Sequence, residues 1–517
     1  MKREIRSICI LSAALMAAAS CQKGEFKTTE RTSEEKIVDF NDTRLVSATL
    51  TKSEDVHQAY EQAFAEVAAG PGRLLADNTE QIETLKSVDL GLWEALGMKI
   101  ETYRITYRTQ GGQGLPGPDG SVKYGPAVLS GDVAFIRDTT GRFKRRIESV
   151  TLFHTQFNSN EELTIISNPT LVPIRTAFNA LVVCPHYQGV FVDKGLHVNN
   201  MSETMLKARQ AIDCELAALE FIQSLNDVEM AEGYYTETMG ISNGSAPALA
   251  TQYLLEKELP KEYAEAINLR GTYCAEGCYD YSQLIYDFIS KDFEHPTIKL
   301  PFNLDKIDKV ADIIDMVLQY ADLDYMKPVF FVSLVSSAHA AWKDSFFKGI
   351  ALEDYFSEKF LKETYDVDGR QLNMLEMFRE GCLDTFTQYT ELTITEIVNP
   401  ALLGDEGLNL DTKEVQALKN AFSHNAAPLF DNWHPATPVQ FAHSTGDEFC
   451  TYEDFLKIVE ATGFSGLNRN VSVKTIGSLK HLGATAYFLV SDIFLKVHPC
   501  PLAGESPKVL PLVPNKN

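Results

Sequence analysis

Gly240-Ile241-Ser242-Asn243-Gly244 has the surroundings that turn a serine into a nucleophile. A β-leaning run, Tyr234-Tyr235-Thr236-Glu237-Thr238-Met239, leads in, and Ser245 to Leu255 reads as a helix that tolerates Pro247 in its first turn. A strand turning sharply into a helix strains the serine and lifts its hydroxyl to the open end of a sheet. Glycine is required on either side because a Cβ there would strike the neighbouring strand or helix. A serine hydroxyl attacks only with a base beside it, and the base needs an acid to orient it. The residues that could supply these lie downstream.

Two late segments place an acid and a base at the ends of strands. Pro438-Val439-Gln440-Phe441-Ala442-His443 reads as a short apolar strand running into Ser444-Thr445-Gly446-Asp447-Glu448. Thr451, with Asp454 three residues on, predicts a capped helix start, followed by apolar Phe455, Ile458 and Val459. Val471 to Ile476 alternates as a strand and ends in Gly477-Ser478-Leu479-Lys480-His481, with a helix expected from Ala484 to Leu495. Asp447 and His481 are thus each expected on a loop between a strand and a helix, in the chain order nucleophile, acid, base.

These residues resemble the α/β-hydrolase superfamily, and more narrowly its secretory lipases and related bacterial esterases. The resemblance spans roughly residues 98 to 495: the opening hairpin (Tyr103 to Tyr107, then Ala127 to Ile136), the elbow at Ser242, Asn432-Trp433-His434-Pro435, the Gly446-Asp447 turn and His481-Leu482-Gly483-Ala484. It implies a mostly parallel central sheet flanked by helices, with a large, mainly helical cap insertion. It assigns Ser242 as nucleophile, His481 as general base and Asp447 as its partner, the three residues already chosen from spacing. It also implies an oxyanion hole, with the backbone N–H of Asn243 as one donor. The second belongs to the loop after the third strand, expected as Ser149 to Phe153 and ending at His154-Thr155-Gln156. Relatives carry His-Gly where this chain has His154-Thr155, so Thr155 and Gln156 both stand as candidates. Ser245 replaces a frequent glycine and is expected either to tighten the elbow or to cap the helix.

Other chemistry is thinly represented. Of 11 histidines, His443 falls inside the acid strand and His186 follows the strand Ala180 to Cys184; both read as structural. There is no His-x-x-x-His and no Cys-x-x-Cys, so no metal is expected. Cys274 and Cys278 are four apart, which suits neither a zinc knuckle nor an obvious clamp. Gly111 to Gly117 lies between hairpin strands and opens no helix, so it is not a phosphate cradle, and no cofactor is expected.

The N-terminus points to export. Lys2, Arg3 and Arg6 precede an apolar stretch from Ile8 to Ala19, too short to span a bilayer, and Ala19-Ser20-Cys21 follows. This resembles a bacterial lipoprotein signal, in which Cys21 would be lipidated and anchor the domain at the cell envelope, whether outer membrane or cell surface. The net charge of −24 repels nucleic acid and anionic lipid, so no nucleic-acid partner is expected. The scattered cysteines allow one or two bridges and do not form a disulfide framework.

The chain divides where its pattern changes. Residues 1–20 read as the signal, 21–41 as a polar tether and 42–97 as an N-terminal helical extension, with helices around Glu54 to Ala69 and Thr79 to Leu96. The hydrolase core occupies 98–278 and 431–498, interrupted by a helical cap at 279–430, and 499–517 form a Pro-rich tail. In the core, Glu203 to Ile222 is an amphipathic helix with Met205, Ala208, Ile212, Leu216 and Leu219 on one face, and a strand is expected near Ala264 to Thr272. In the cap, Lys327 to Trp342 is strongly apolar and reads as a buried helix or as a lid. The function expected is carboxylic ester hydrolysis, of a small-molecule or lipid ester, through an acyl-enzyme. A peptidase with the same triad, or a surface-anchored binding protein on a hydrolase scaffold, is the alternative.

Overall fold

The computed structural model describes residues 39–500 apart from 69–96, 117–121, 142–143, 155–170, 189–201, 291–326, 368, 380–391, 406, 465–467, 478 and 497. Its frame is a nine-stranded sheet in the order β1-β2-β3-β5-β4-β6-β7-β10-β11. The strands are β1 (Leu45–Asp55), β2 (Met98–Pro116), β3 (Val122–Asp138), β4 (Arg145–His154), β5 (Ala180–Pro185), β6 (Val228–Ile241), β7 (Leu269–Ala275), β10 (Val439–Ser444) and β11 (Val471–Ile476). A separate small hairpin pairs β8 (Tyr365–Val367) with β9 (Arg370–Leu372). Pairings from β1 to β5 are antiparallel, and the five from β5 through β4, β6, β7 and β10 to β11 are parallel. This is the mostly parallel architecture expected of the sequence.

Parallel strands are covered on both faces and therefore carry apolar residues on both. All six residues of β5, and the last six of β4 and of β6, are buried. On one face lie α3 (Thr204–Ser224) and α4 (Ser245–Tyr253), in a cluster with Leu152, Val183, Ile212 and Phe441. On the other lie α1 (Val56–Ala68), α2 (Leu171–Ala177) and α10 (His481–Phe488), gathered around Phe153, Tyr273 and Phe488. The predicted face of α3 is buried, and so is much of its opposite side, including Lys207, Asp213 and Glu215. The sheet accounts for one side; α8 (Lys413–Phe430) from the insertion also reaches α3 and α4. The other helices used below are α5 (Lys261–Ile267), α6 (Tyr281–Ser290), α7 (Lys327–Trp342) and α9 (Tyr452–Ala461).

Three elements depart from the sequence expectation. The extension at 42–97, read as helical, opens with β1, which adds to the sheet edge beside β2; only then does α1 begin. The Thr79 to Leu96 helix, the signal, Cys21 and the tail beyond residue 500 lie outside the described residues. The strand expected from Ala264 begins only at Leu269, because α5 runs to Ile267 and stops at Asn268, whose φ of 50° is the left-handed helix end that asparagine tolerates. The last helix starts at His481, three residues earlier than expected, and continues as a π-turn over Leu489–Phe494.

Between β7 and β10 the described residues are mainly helical. In α7, Phe331, Val332, Leu334, Val335, Ala338 and Trp342 are buried among α6 and α8, so α7 is a buried helix. Each such large side chain contributes about 1.5–3 kcal/mol of burial free energy. A disulfide joins Cys278, just past β7, to Cys450, just past β10, across 172 residues of sequence. The insertion is thus tied shut at its root. Cys214, Cys274 and Cys500 are free and buried, and Cys184 is buried within β5. No described helix is long and apolar enough to cross a membrane.

Candidate active site

The site is assembled at the carboxyl ends of four adjacent parallel strands: β6, β7, β10 and β11. β6 ends in extended backbone at Ile241, and Ser242 then takes φ of 53°, in the left-handed region. For a residue with a Cβ, holding that conformation costs of order 1–3 kcal/mol. The turn Ser242–Gly244 feeds directly into α4. Gly240 is obligatory because a Cβ there would stand 2.0 Å from the Gly244 carbonyl oxygen. Ser245 tightens the elbow: its hydroxyl bonds the carbonyls of Gly240 (3.1 Å) and Ala275 (2.7 Å), and no side-chain cap is made at the helix start.

Ser242, His481 and Asp447 are brought into one hydrogen-bonded line. His481 Nδ1 lies 2.7 Å from Asp447 Oδ2, and Nε2 lies 2.9 Å from Ser242 Oγ. A proton on Nδ1, donated to Asp447, leaves Nε2 as the acceptor for the serine hydroxyl. Asp447 sits on the loop between β10 and α9, and its Oδ1 accepts the backbone N–H groups of Phe449 and Cys450, both at 2.8 Å. Burial opposes its charge, but the His481 charge and hydrogen bonds outweigh burial and hold the carboxyl well below its ordinary range. His481, placed in the first turn of α10 and not on the preceding loop, donates its backbone N–H to Glu448 Oε2 at 2.9 Å. Burial pulls its imidazole down, yet the charge and hydrogen bond of Asp447, with Glu448 behind, raise it above the usual value. Ser242 is half-buried, while Asp447 and His481 are buried. The ring of Phe449 lies 5.3 Å from His481 and Phe330 of α7 lies 4.7 Å from Phe449, so the insertion reaches His481 through two aromatic contacts.

Asn243, the expected oxyanion donor, is at the helix entrance, where backbone N–H groups lack intrahelical acceptors. Its side chain is held from two sides: Nδ2 donates to Tyr281 at 2.8 Å, and Oδ1 accepts from Lys207 at 3.4 Å. Burial brings the Lys207 amine down to about 7, against the opposing charge of Glu203. Neither contact was legible in the sequence, since Lys207 falls on the buried side of α3 and Tyr281 inside the insertion. Thr155 and Gln156 lie outside the described residues. Their neighbour His154 closes β4, with Nδ1 2.7 Å from the Tyr187 hydroxyl and Nε2 2.9 Å from Thr238. Burial, helped by the Lys207 charge, pushes it down to about 3.

The remaining histidines singled out are structural. His443 donates from Nε2 to the Cys450 carbonyl at 2.7 Å and stacks on Phe455. His186 bridges Ser130 and Asp132, at 2.9 Å each, in a fully enclosed group. Glu276 was missed. It directly follows β7 with φ of 49°, is fully buried, and accepts the Ser444 N–H at 2.6 Å. Among the described residues, two triplets place metal-type ligand atoms within 4.8 Å of one another: Asp447–Cys450–His481 and Glu276–His443–Asp447. The first is spent, because its sulfur is in the disulfide and its imidazole is in the hydrogen-bonded line.

No protein-family model and no curated protein matches the chain. Among solved structures, it is similar to the ligand-bound rice cell wall degrading esterase LipA of Xanthomonas oryzae, at 14% identity and a TM-score of 0.55, over 87% of this chain and 96% of that one. It is also similar to a candidate hydrolase of Legionella pneumophila, at 14% identity and a TM-score of 0.54, with the same coverage. At such identity the likeness is one of fold. The chain has the α/β-hydrolase fold.

Proposed function

We propose that this chain is a carboxylic ester hydrolase working through an acyl-enzyme on Ser242. The observation that carries the reading is the unbroken line Ser242–His481–Asp447, with the serine held in a left-handed conformation at the strand-to-helix turn. His481 takes the serine proton as Oγ attacks the ester carbonyl, and Asp447 stabilises the imidazolium. The N–H of Asn243 meets the developing oxyanion, with the second donor assigned to Thr155 or Gln156. His481 then returns the proton to the departing alcohol, and water releases the acid by the same steps. The shared fold with an esterase supports the ester over the amide.

We assign the working place to the cell envelope, with Cys21 lipidated. That rests on the basic and apolar start ending in Ala19-Ser20-Cys21, and it is supported by the Cys278–Cys450 disulfide, a bond that persists in oxidising compartments. The test is hydrolysis of p-nitrophenyl esters of increasing acyl length by protein lacking residues 1–21, beside Ser242→Ala. Turnover should fall by about 10³-fold or more in the variant. Equal, negligible rates in both would overturn the reading, and cleavage of aminoacyl amides alone would replace it with a peptidase.

A further inference from the structure

The geometry points to Glu276 as a positioning residue that carries a proton: a neutral carboxylic acid seated beside Asp447, so that this end of the site holds one negative charge and not two. Glu276, His443 and Asp447 come from the ends of neighbouring strands and place ligand-type atoms within 4.8 Å of one another, all fully or almost fully buried. Glu276 Oε1 is occupied by the Ser444 N–H. Oε2 is buried with no hydrogen-bond partner, and so is His443 Nδ1, 3.9 Å away.

The tautomer of His443 decides what Oε2 must be. Its Nε2 donates to the Cys450 carbonyl, and burial holds the ring neutral, pushed down to about 4. Nδ1 is therefore a lone pair. On the other side stands the Asp447 carboxylate, also an acceptor. An ionised Glu276 would present a second acceptor to both, with no donor between them, in a site closed to solvent. A protonated Oε2 supplies the one hydrogen that this cluster lacks.

The charged surroundings act in the same direction. Asp447 and Glu448 face Glu276 from the loop after β10, and burial together with these two pushes its carboxyl well above the ordinary range, opposed only by the Ser444 N–H. Tyr273 on β7 and Tyr279 beyond it feel its charge but add no cation. His481 spends its charge on Asp447. Two carboxyls at such separation share one proton. Asp447, with two backbone N–H groups and His481, keeps the charge, and Glu276 keeps the proton. The Glu276 hydroxyl would then join the Phe449 and Cys450 amides in fixing the Asp447 carboxylate while His481 moves its proton.

Only the kinetic arm of the test rests on the ester-hydrolase reading. Infrared difference spectra of wild type against Glu276→Gln, at about pH 8, where ordinary carboxylates are ionised, should show a protonated-carboxyl C=O band in wild type that the variant lacks. Glu276→Asp, a second variant with the carboxyl retained, should shift the band without abolishing it. In kinetics, Glu276→Gln keeps an acceptor for Ser444 and a donor for Asp447. It should hold kcat within about threefold and leave the acid limb in place, whereas Glu276→Ala should lose about tenfold or more in kcat with KM unchanged. Absence of the band would overturn the proposal even if no ester is turned over. So would an acid limb that moves down in Glu276→Gln, since that marks a lost anion.

Discussion

At the scale of single residues, the proposed mechanism requires His481 to enter the reaction neutral. Its pKa is raised in the folded protein, chiefly through Asp447 working against burial, so the basic form is reached only at higher pH. The acid limb of kcat/KM should therefore lie above the ordinary imidazole value of 6.5. Asp447→Asn should both lower that limb and cut kcat by about 10³–10⁴-fold, because the wrong imidazole tautomer is then stabilised. A pH–rate profile of the two proteins checks this; a limb unmoved by the substitution would separate Asp447 from the base. Ser242, Asp447 and His481 were legible because each follows a readable strand and stands in a fixed chain order. Glu276 was not: nothing in Ala275-Glu276-Gly277 says that its side chain turns inward, toward a loop more than 160 residues away. Ser130, His186 and Asp132 teach the converse. They form a hydrogen-bonded Ser–His–Asp set nearly as tight as the catalytic candidate, but Ser130 lies within β3 and the set is enclosed. Polar satisfaction in a core can copy a triad's distances. It does not copy the strained, solvent-reaching elbow.

At the scale of elements, that elbow is the part with least tolerance. Gly240→Ala should destabilise by about 1–3 kcal/mol or more, since the new methyl meets backbone and not a movable side chain, and its loss of activity should exceed its loss of folded protein. Thermal unfolding measured beside ester turnover distinguishes the two effects; unchanged values for both would show that the turn has slack. Apolar patterning located β10, β11 and α3, although burial in them is not confined to alternate residues or to one face. It failed for β1, a largely exposed edge strand with little apolar patterning, and for the start of β7, where a left-handed asparagine, and not a change of composition, divides helix from strand. Helix α7 could be read as apolar from the sequence, but its contact chain to His481 through Phe330 and Phe449 could not, because it depends on how the insertion folds back over the sheet.

At the scale of the whole molecule, β7 and β10 pair directly although the insertion separates them along the chain. Loop closure over such a length is an entropic cost of folding, and Cys278–Cys450 removes much of it from the unfolded state. Replacing both cysteines by serine should cost about 2–5 kcal/mol, read as a lower denaturation midpoint. Activity should fall as well, because the bond tethers the backbone at Cys450, whose N–H is one of the two that hold Asp447. A midpoint unchanged from wild type would show that packing alone seats the insertion. The same bond also governs how the protein meets proteases. A single cut anywhere in the long segment between Cys278 and Cys450 leaves the serine half and the acid–base half of the site covalently joined, so in an oxidising, protease-rich setting a nicked molecule remains one piece until a reductant reaches the bond.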